Sequence, residues 1–161
     1  MFMRLVRAGT RRFAVDVHGH CVMPNHFHLL VEAKEDEALS AYMQWVTGCY
    51  ACYLRTRTKT IGEGHVFQRR FWSAGIDDTF HFLTVLRYIE ANPLRAKLVD
   101  RAEQWQWSSL ANREQAETTS RWCVALPDDW CELVNQVQVT EVLERLRKEI
   151  TPKRGRPRIV K

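Results

Sequence analysis

The stretch that most constrains the fold is a predicted β-hairpin near the start of the chain. Apolar and polar residues alternate from Phe13 to Val22, and a second apolar run extends from His26 to Glu32. Alternation with a period of two is typical of strands that bury one face. Met23-Pro24-Asn25, between the two runs, carries residues that favour a tight turn. We therefore predict two antiparallel strands joined at this turn.

Two histidines, His26 and His28, open the second predicted strand. Because successive side chains of a strand alternate between faces, both imidazoles are expected on one face, where they can hold a divalent metal. A histidine beside an apolar strand is also commonly a core or hydrogen-bonding residue. His18 and His20 form a second pair with the same spacing, so the spacing alone does not select a metal site.

The rest of the chain predicts further helices and one more strand. Apolar residues recur at helical spacing in three stretches, and a proline marks where one of these helices ends or kinks. The predicted elements are a helix after Asp36, a loop from Arg55 to Gly64, a strand from His65 to Ile76, a helix starting at Asp77-Asp78-Thr79 and interrupted before Pro93, and a short helix over 139–150.

Composition limits the class of protein. The 161 residues are 45% hydrophobic, as is ordinary for a folded domain, and we expect neither a membrane span nor a signal peptide. Five scattered cysteines argue against a disulfide framework and for a reducing cytoplasm, with Cys49 and Cys52 predicted to be small buried helix residues. The net charge of +5 suits a polyanionic partner.

Tyr88 and Asn92 lie four residues apart in a predicted helix and so share a face. The amide oxygen of Asn92 can bind a metal, and the phenol of Tyr88 can act as a ligand or a nucleophile. Each residue also has a structural alternative. Tyr88 suits an amphipathic core position, and Asn92 suits a helix C-cap before Pro93.

The surrounding motifs resemble those of a known family. Arg87–Val99 resembles the tyrosine-helix motif of the REP-associated tyrosine transposases, which are HUH-type single-strand DNA transposases with one catalytic tyrosine. Met23–Leu30 resembles the HUH motif of that family. Gly64–Phe71 and Trp105–Ser109 resemble two further blocks in the same order. The resemblance covers roughly residues 13 to 110.

This resemblance implies that His26, His28 and Asn92 bind Mg²⁺ or Mn²⁺ and that Tyr88 is the nucleophile. Tyr88 would join the 5′ phosphate of a cleaved DNA strand and release a 3′ hydroxyl. Ligand chemistry alone favours Mn²⁺ or zinc over Mg²⁺. The implied partner is single-stranded DNA with short hairpins, bound at the nucleoid by a monomer or homodimer in the cytoplasm.

Basic residues near these motifs are candidates for contacts with DNA phosphates. Their alternative role is a solvated charged surface, and the basic residues at the C-terminus, which resemble an AT-hook, suit a non-specific tail equally well. The candidates are Arg69, Arg70, Arg95 and Lys97 beside the predicted site, and Lys153, Arg154, Arg156 and Arg158 in the tail.

The resemblance implies an α+β fold with a mainly antiparallel sheet flanked by helices, in the ferredoxin-like arrangement of HUH endonucleases. We expect a catalytic domain over 1–110, a C-terminal extension with one helix over 111–150, and a basic tail over 151–161. Only Met1–Arg12 precede the first predicted strand, where the family has another strand and a full helix. The first strand of the fold is therefore expected to be missing.

Two alternatives to an active transposase remain open. A truncated, inactive remnant would bind DNA hairpins without turnover. A metal-dependent hydrolase would use water as the nucleophile, with Tyr88 serving a structural role.

Overall fold

The structure, a computed structural model, describes residues 1–113, 124–136, 143, 144, 146 and 148. It has the α+β fold predicted from the sequence, with a two-stranded antiparallel sheet flanked by helices. None of the helices in these described ranges is long and apolar enough to cross a membrane. The elements are α1 (Phe2–Thr10), β1 (Val15–Val22), β2 (Phe27–Ala33), α2 (Ala38–Thr58), α3 (Thr79–Glu90), α4 (Asn92–Arg95), a 3₁₀ turn (Ala102–Gln104) and α5 (Trp130–Asn135).

The predicted hairpin is confirmed. β1 and β2 pair antiparallel with Val22 opposite Phe27 and Cys21 opposite His28. The backbone N–H of Met23 donates a 2.8 Å hydrogen bond to the carbonyl oxygen of His26 and closes the turn. His26 therefore belongs to the turn, and the strand begins one residue later than the sequence predicted.

Helices cover both faces of the hairpin. Leu30 and Cys21 are buried in a cluster with residues of α3, and Val15 is buried in a second cluster with residues of α1 and α2. α3 comes so close to β1 at Gly19 that a Cβ there would lie 2.4 Å from Cδ1 of Leu86. A side chain at Gly19 would force Leu86 to move, so this glycine permits the close packing of Leu86 in α3 against β1.

The two edges of the sheet differ. Along β1, the N–H of Ser109 donates to the carbonyl oxygen of His20 at 2.8 Å, and the N–H of Val22 donates to the carbonyl oxygen of Trp107 at 2.9 Å. The other edge of the sheet, along β2, pairs with no strand in the ranges that the structure describes.

The strand predicted from His65 to Ile76 is wrong, because these residues form turns and irregular backbone. Phe67 and Phe71 in this segment are half-buried and four residues apart, while Arg69 and Arg70 between them are exposed. In a strand Arg69 would lie on the same face as both phenylalanines, so its exposure does not match a strand with one buried face. A strand is also defined by hydrogen bonds to a neighbour.

α3 follows the prediction closely. The side chain of Asp78 caps its first turn by accepting a 2.7 Å hydrogen bond from the N–H of His81. The helix ends at Glu90, and α4 begins at Asn92, so the interruption expected before Pro93 is observed.

α2 departs from the prediction at both ends. Its N-cap residue is Glu37, with a φ of 64° and no side-chain cap, so Asp36 does not cap it. The helix continues to Thr58, and the hydroxyls of Thr56 and Thr58 donate to carbonyl oxygens four residues earlier. The predicted loop from Arg55 is therefore helical in its first part.

Cysteine burial and the C-terminal region also differ from expectation. Cys49 is half-buried and Cys52 is exposed on α2, so neither is the fully buried residue that was predicted. α5 was not predicted, because one short helix among polar residues gives little periodicity. The basic tail over 151–161, Cys123 and most of the helix predicted over 139–150 lie outside the described residues.

Candidate active site

The turn, β2 and α3 bring three of the predicted site residues together. The ring centres of His26 and His28 lie 5.0 Å apart, with the rings at 89° to each other. The ring centres of His28 and Tyr88 lie 6.0 Å apart at 85°. The hairpin and the tyrosine helix are separated by about 60 residues of sequence, so only the tertiary fold makes these rings neighbours.

Both imidazoles are in a state that suits metal binding. Burial, assisted by the positive charges of His26 and Arg95, lowers the pKa of His28 to about 4. Burial also lowers the pKa of His26. At neutral pH both rings are therefore neutral, and a neutral imidazole has the lone pair that a metal requires.

Asn25 orients the first of these rings. Nδ1 of His26 lies 2.7 Å from Oδ1 of Asn25. Because an amide oxygen only accepts, Nδ1 must carry the hydrogen, and the lone pair of His26 is then on Nε2. In the sequence, the position of Asn25 next to His26 is the one sign of this role.

Asn92 is tied to the end of α3. Its Nδ2 donates to the carbonyl oxygens of Tyr88, at 3.0 Å, and Ile89, at 3.3 Å. The C-cap residue of α3 is Ala91 rather than Asn92, but the side chain of Asn92 satisfies carbonyl oxygens in the last turn of this helix. Since both of these bonds use the nitrogen, Oδ1 remains the side-chain atom suited to a metal ion.

Arg95, predicted to contact DNA, lies over the proposed nucleophile. Its guanidinium carbon is 4.0 Å from the centre of the Tyr88 ring, and its Nη2 donates to the carbonyl oxygen of Tyr88 at 2.8 Å. Tyr88 itself is only 8% exposed. Its ring therefore lies next to both the imidazole of His28 and the guanidinium of Arg95.

A buried carboxylate fixes the helix that carries Tyr88. Glu90 is 0% exposed and accepts hydrogen bonds from Oγ of Ser109 at 2.6 Å and Nε1 of Trp130 at 2.7 Å. Its third partner is the guanidinium of Arg113. Oγ of Ser109 also accepts a 3.1 Å bond from the N–H of His20, so this network links α3 to β1. In the sequence, the sign of this role is that Glu90 lies four residues after the apolar Leu86 and therefore on the buried side of α3.

The remaining candidates lie apart or outside the described residues. Arg69 and Arg70 are exposed and line a separate cleft beside Phe27, and Lys97 is exposed after α4. The four basic tail residues are not described. His18 and His20, the second pair, both lie in β1, where Nε2 of His18 is 3.0 Å from Oε2 of Glu32.

By chemical type, His26, His28 and Asn92 would suit a divalent metal with one amide ligand. Among the described residues, no group of three or more His, Cys, Asp or Glu side chains is arranged to hold a metal. A site at His26 and His28 therefore needs another type of third ligand, and the oxygen of Asn92 is one. Two neutral imidazoles and an amide oxygen suit Mn²⁺ or a similar divalent ion.

Comparison with known proteins gives a consistent family. A curated protein of Haemophilus influenzae, whose name provisionally describes it as a REP-associated tyrosine transposase, is 26% identical over 118 residues. The match covers 68% of this chain and 63% of that relative, so the chain spans less than two thirds of its length. No solved structure matches. Residues 2–92 match the family described as "Transposase IS200 like". That match includes the histidine hairpin, Tyr88 and Asn92 and extends over more than half of the chain, which therefore belongs to the IS200-like transposase family.

Proposed function

We propose that this protein cleaves and rejoins single-stranded DNA that carries short hairpins, through a covalent bond between Tyr88 and a 5′ phosphate. The observation that carries the proposal is the contact between the ring of His28 and the ring of Tyr88, with centres 6.0 Å apart. A metal-binding pair beside a tyrosine provides both a site for the phosphate and a group that can attack it. The relative from Haemophilus influenzae supports the same chemistry by its name alone.

His26, His28 and Asn92 would hold the metal ion, which we expect to be Mg²⁺ or Mn²⁺. When bound, such an ion withdraws electron density from the scissile phosphate and stabilises the negative charge that develops on it. Asn25 keeps Nε2 of His26 available as a ligand, and Arg95 keeps the Tyr88 ring beside His28.

The proposed step conserves the energy of the phosphodiester bond in a new phosphotyrosine bond. The phenol oxygen of Tyr88 forms a bond to phosphorus, and the bond between phosphorus and the 3′ oxygen of the preceding nucleotide breaks. The hydrogen that the phenol loses is balanced by the one that the departing 3′ oxygen gains. Because the new phosphotyrosine bond is similar in energy to the bond that was broken, a 3′ hydroxyl can reverse the step and join strands.

One observation favours a second candidate. Tyr88 is 8% exposed, and its ring contacts both His28 and Arg95, as a structural residue would. An inactive protein that binds DNA hairpins without cleaving them is consistent with this burial. A hydrolase that uses water in place of Tyr88 would also leave the tyrosine buried.

One experiment separates these functions. The protein is incubated with hairpin-bearing single-stranded DNA and Mn²⁺, and the products are run on a denaturing gel. A covalent adduct that is absent in Tyr88→Phe and retained in the control Tyr53→Phe supports the proposal. Binding without adduct or cleavage supports the inactive remnant. Free cleaved ends that persist in Tyr88→Phe support a hydrolase and contradict the role given to Tyr88.

A further inference from the structure

A cleft of about 540 Å³ lies on the side of β2 away from Tyr88. It is bounded by the start of β2, by the exposed side of α2 and by the irregular segment that contains Phe67 and Phe71. Its volume is within the range of sites that take small organic ligands. Neither the family match nor the proposed reaction assigns it a role.

Aromatic rings form one part of this cleft. Phe27, Phe67 and Phe71 all line it. The ring of Phe67 stands at 90° to that of Phe27, with centres 6.2 Å apart, and its centre lies 6.2 Å from that of Tyr50. Because its neighbours fix it, Phe67 offers an ordered and half-buried ring on which a planar group can stack.

Positive charge and a hydrogen-bonding amide form the other part. Arg69 and Arg70 line the cleft and are exposed, and within the described residues neither forms an ion pair with a carboxylate. Gln44 of α2 is also exposed in the cleft, and its amide offers both a donor and an acceptor. Aromatic rings beside unpaired arginines are the combination that single-stranded nucleic acids require, since the rings stack bases and the cations bind phosphates.

The position of the cleft connects it to the candidate active site. Phe27 lines the cleft and is the residue between His26 and His28. Side chains on neighbouring strand positions point to opposite faces, so the cleft and the histidines lie on the two sides of the same end of β2. A DNA strand with one phosphate at the histidines can pass around this strand end into the cleft.

We propose that this cleft binds an unpaired nucleotide of the DNA strand next to the cleaved phosphate. Its base stacks against Phe67 and Phe71, Gln44 bonds to the base edge, and Arg69 and Arg70 neutralise the adjoining phosphates. The proposal rests on the proposed function in that its ligand is the substrate strand. An acidic peptide is the competing occupant, and it would need the arginines but not the stacking surface.

The test measures binding without cleavage. In the Tyr88→Phe background, the dissociation constant of a fluorescent single-stranded oligonucleotide of random sequence is measured at several salt concentrations. We expect Arg69→Ala with Arg70→Ala to weaken binding at least tenfold and to reduce the slope of log affinity against log salt by about 1.4, at about 0.7 for each phosphate contact. The control is Arg57→Ala with Lys59→Ala, which removes the same charge from exposed positions at the end of α2.

Base stacking needs its own variant. Phe67→Leu keeps an apolar side chain in the fold but removes the ring, and should weaken binding about fivefold or more without changing the salt slope. The same variant should bind an abasic oligonucleotide as the unchanged protein does. If Phe67→Leu unfolds the protein, Gln44→Ala, at an exposed position, replaces it and should weaken binding at least twofold.

Equal losses in the two double-charge variants would contradict the proposal, because net charge alone would then explain the binding. Unchanged affinity in both Phe67→Leu and Gln44→Ala would contradict it as well, and would leave an acidic peptide as the better occupant. These results are independent of the Tyr88 adduct. If the unchanged protein formed no adduct but the cleft variants bound as expected, the proposed reaction would fail while the cleft assignment stood.

Discussion

The guanidinium carbon of Arg95 lies 4.0 Å from the centre of the Tyr88 ring, and the same group donates a 2.8 Å hydrogen bond to the Tyr88 carbonyl oxygen. One side chain of α4 therefore contacts both the ring and the backbone of the proposed nucleophile in α3. A cation over an aromatic face is attracted to it, so Arg95 restricts the orientation of this ring. We infer that Arg95 is a positioning residue for Tyr88.

Replacing Arg95 should slow the chemical step more than it weakens DNA binding. A contact of this kind contributes about 0.5 to 2 kcal/mol, so Arg95→Ala should reduce the single-turnover rate of adduct formation about twofold to thirtyfold at saturating DNA. Arg95→Lys keeps the charge without the planar group and should recover part of the rate. Arg101→Ala, at an exposed position outside the site, serves as the control. A loss confined to DNA affinity would instead make Arg95 a phosphate contact.

Removing Asn25 should weaken metal binding although Asn25 is not a proposed ligand. Its Oδ1 accepts the hydrogen on Nδ1 of His26 at 2.7 Å, and loss of such an outer partner typically costs 10- to 100-fold in metal affinity. Titration calorimetry with Mn²⁺ measures the effect in Asn25→Ala. His20→Gln, in the second histidine pair, should bind Mn²⁺ as the unchanged protein does, and a larger loss there would favour the other pair.

The carboxylate of Glu90 should be a major source of stability. Glu90→Ala leaves the indole of Trp130, the hydroxyl of Ser109 and the guanidinium of Arg113 without their common acceptor. Breaking a buried pair in this way costs about 3 to 5 kcal/mol in the free energy of unfolding. Glu132→Ala, which removes an exposed ion pair with Arg101, should cost no more than about 1 kcal/mol. Urea denaturation compares the two, and similar losses would contradict the central role of Glu90.

Stability should fall as the pH is lowered, in part through His20. Burial, assisted by the charges of Arg7 and Arg113, lowers the pKa of His20 from 6.5 to about 4. The unfolded chain therefore binds a proton on this residue before the folded protein does. The stabilisation is fully present above pH 6.5, is lost as the pH falls towards 4, and is on the order of 2–3 kcal/mol.

The pH dependence is checked with urea denaturation between pH 7 and pH 4. The difference in unfolding free energy between the unchanged protein and His20→Gln should shrink over this interval, because glutamine does not titrate. A difference that stays constant with pH would show that His20 does not carry the effect.

The sequence correctly predicted the elements that are determined by residues close together in the chain. The hairpin at Met23-Pro24-Asn25 and the start of α3 at Asp78 follow from turn and capping chemistry, which acts within a few residues. The strand predicted from His65 to Ile76 was wrong. The apolar content of this segment is typical of a strand, but strand formation also depends on a hydrogen-bonded neighbour elsewhere in the chain.

In the candidate site, too, local motifs were predictable from the sequence and contacts between distant residues were not. His26, His28 and Tyr88 were selected from motifs, and the structure places their rings next to each other. The contacts of Glu90 with Ser109 and Trp130 join residues up to 40 positions apart, and no spacing in the sequence encodes them. The cleft beside Phe27 likewise depends on how α2 and the segment around Phe67 meet, so it could be found only in three dimensions.

The most direct test of the account is mass spectrometry of the DNA adduct after trypsin digestion. Cleavage after Arg87 and Arg95 releases a peptide, Tyr88–Arg95, in which Tyr88 is the only tyrosine. We predict that this peptide carries a nucleotide joined through its 5′ phosphate when the protein has reacted with hairpin-bearing single-stranded DNA and Mn²⁺. A nucleotide on another peptide, or cleaved DNA with no modified peptide, would contradict the assignment of Tyr88 as the nucleophile.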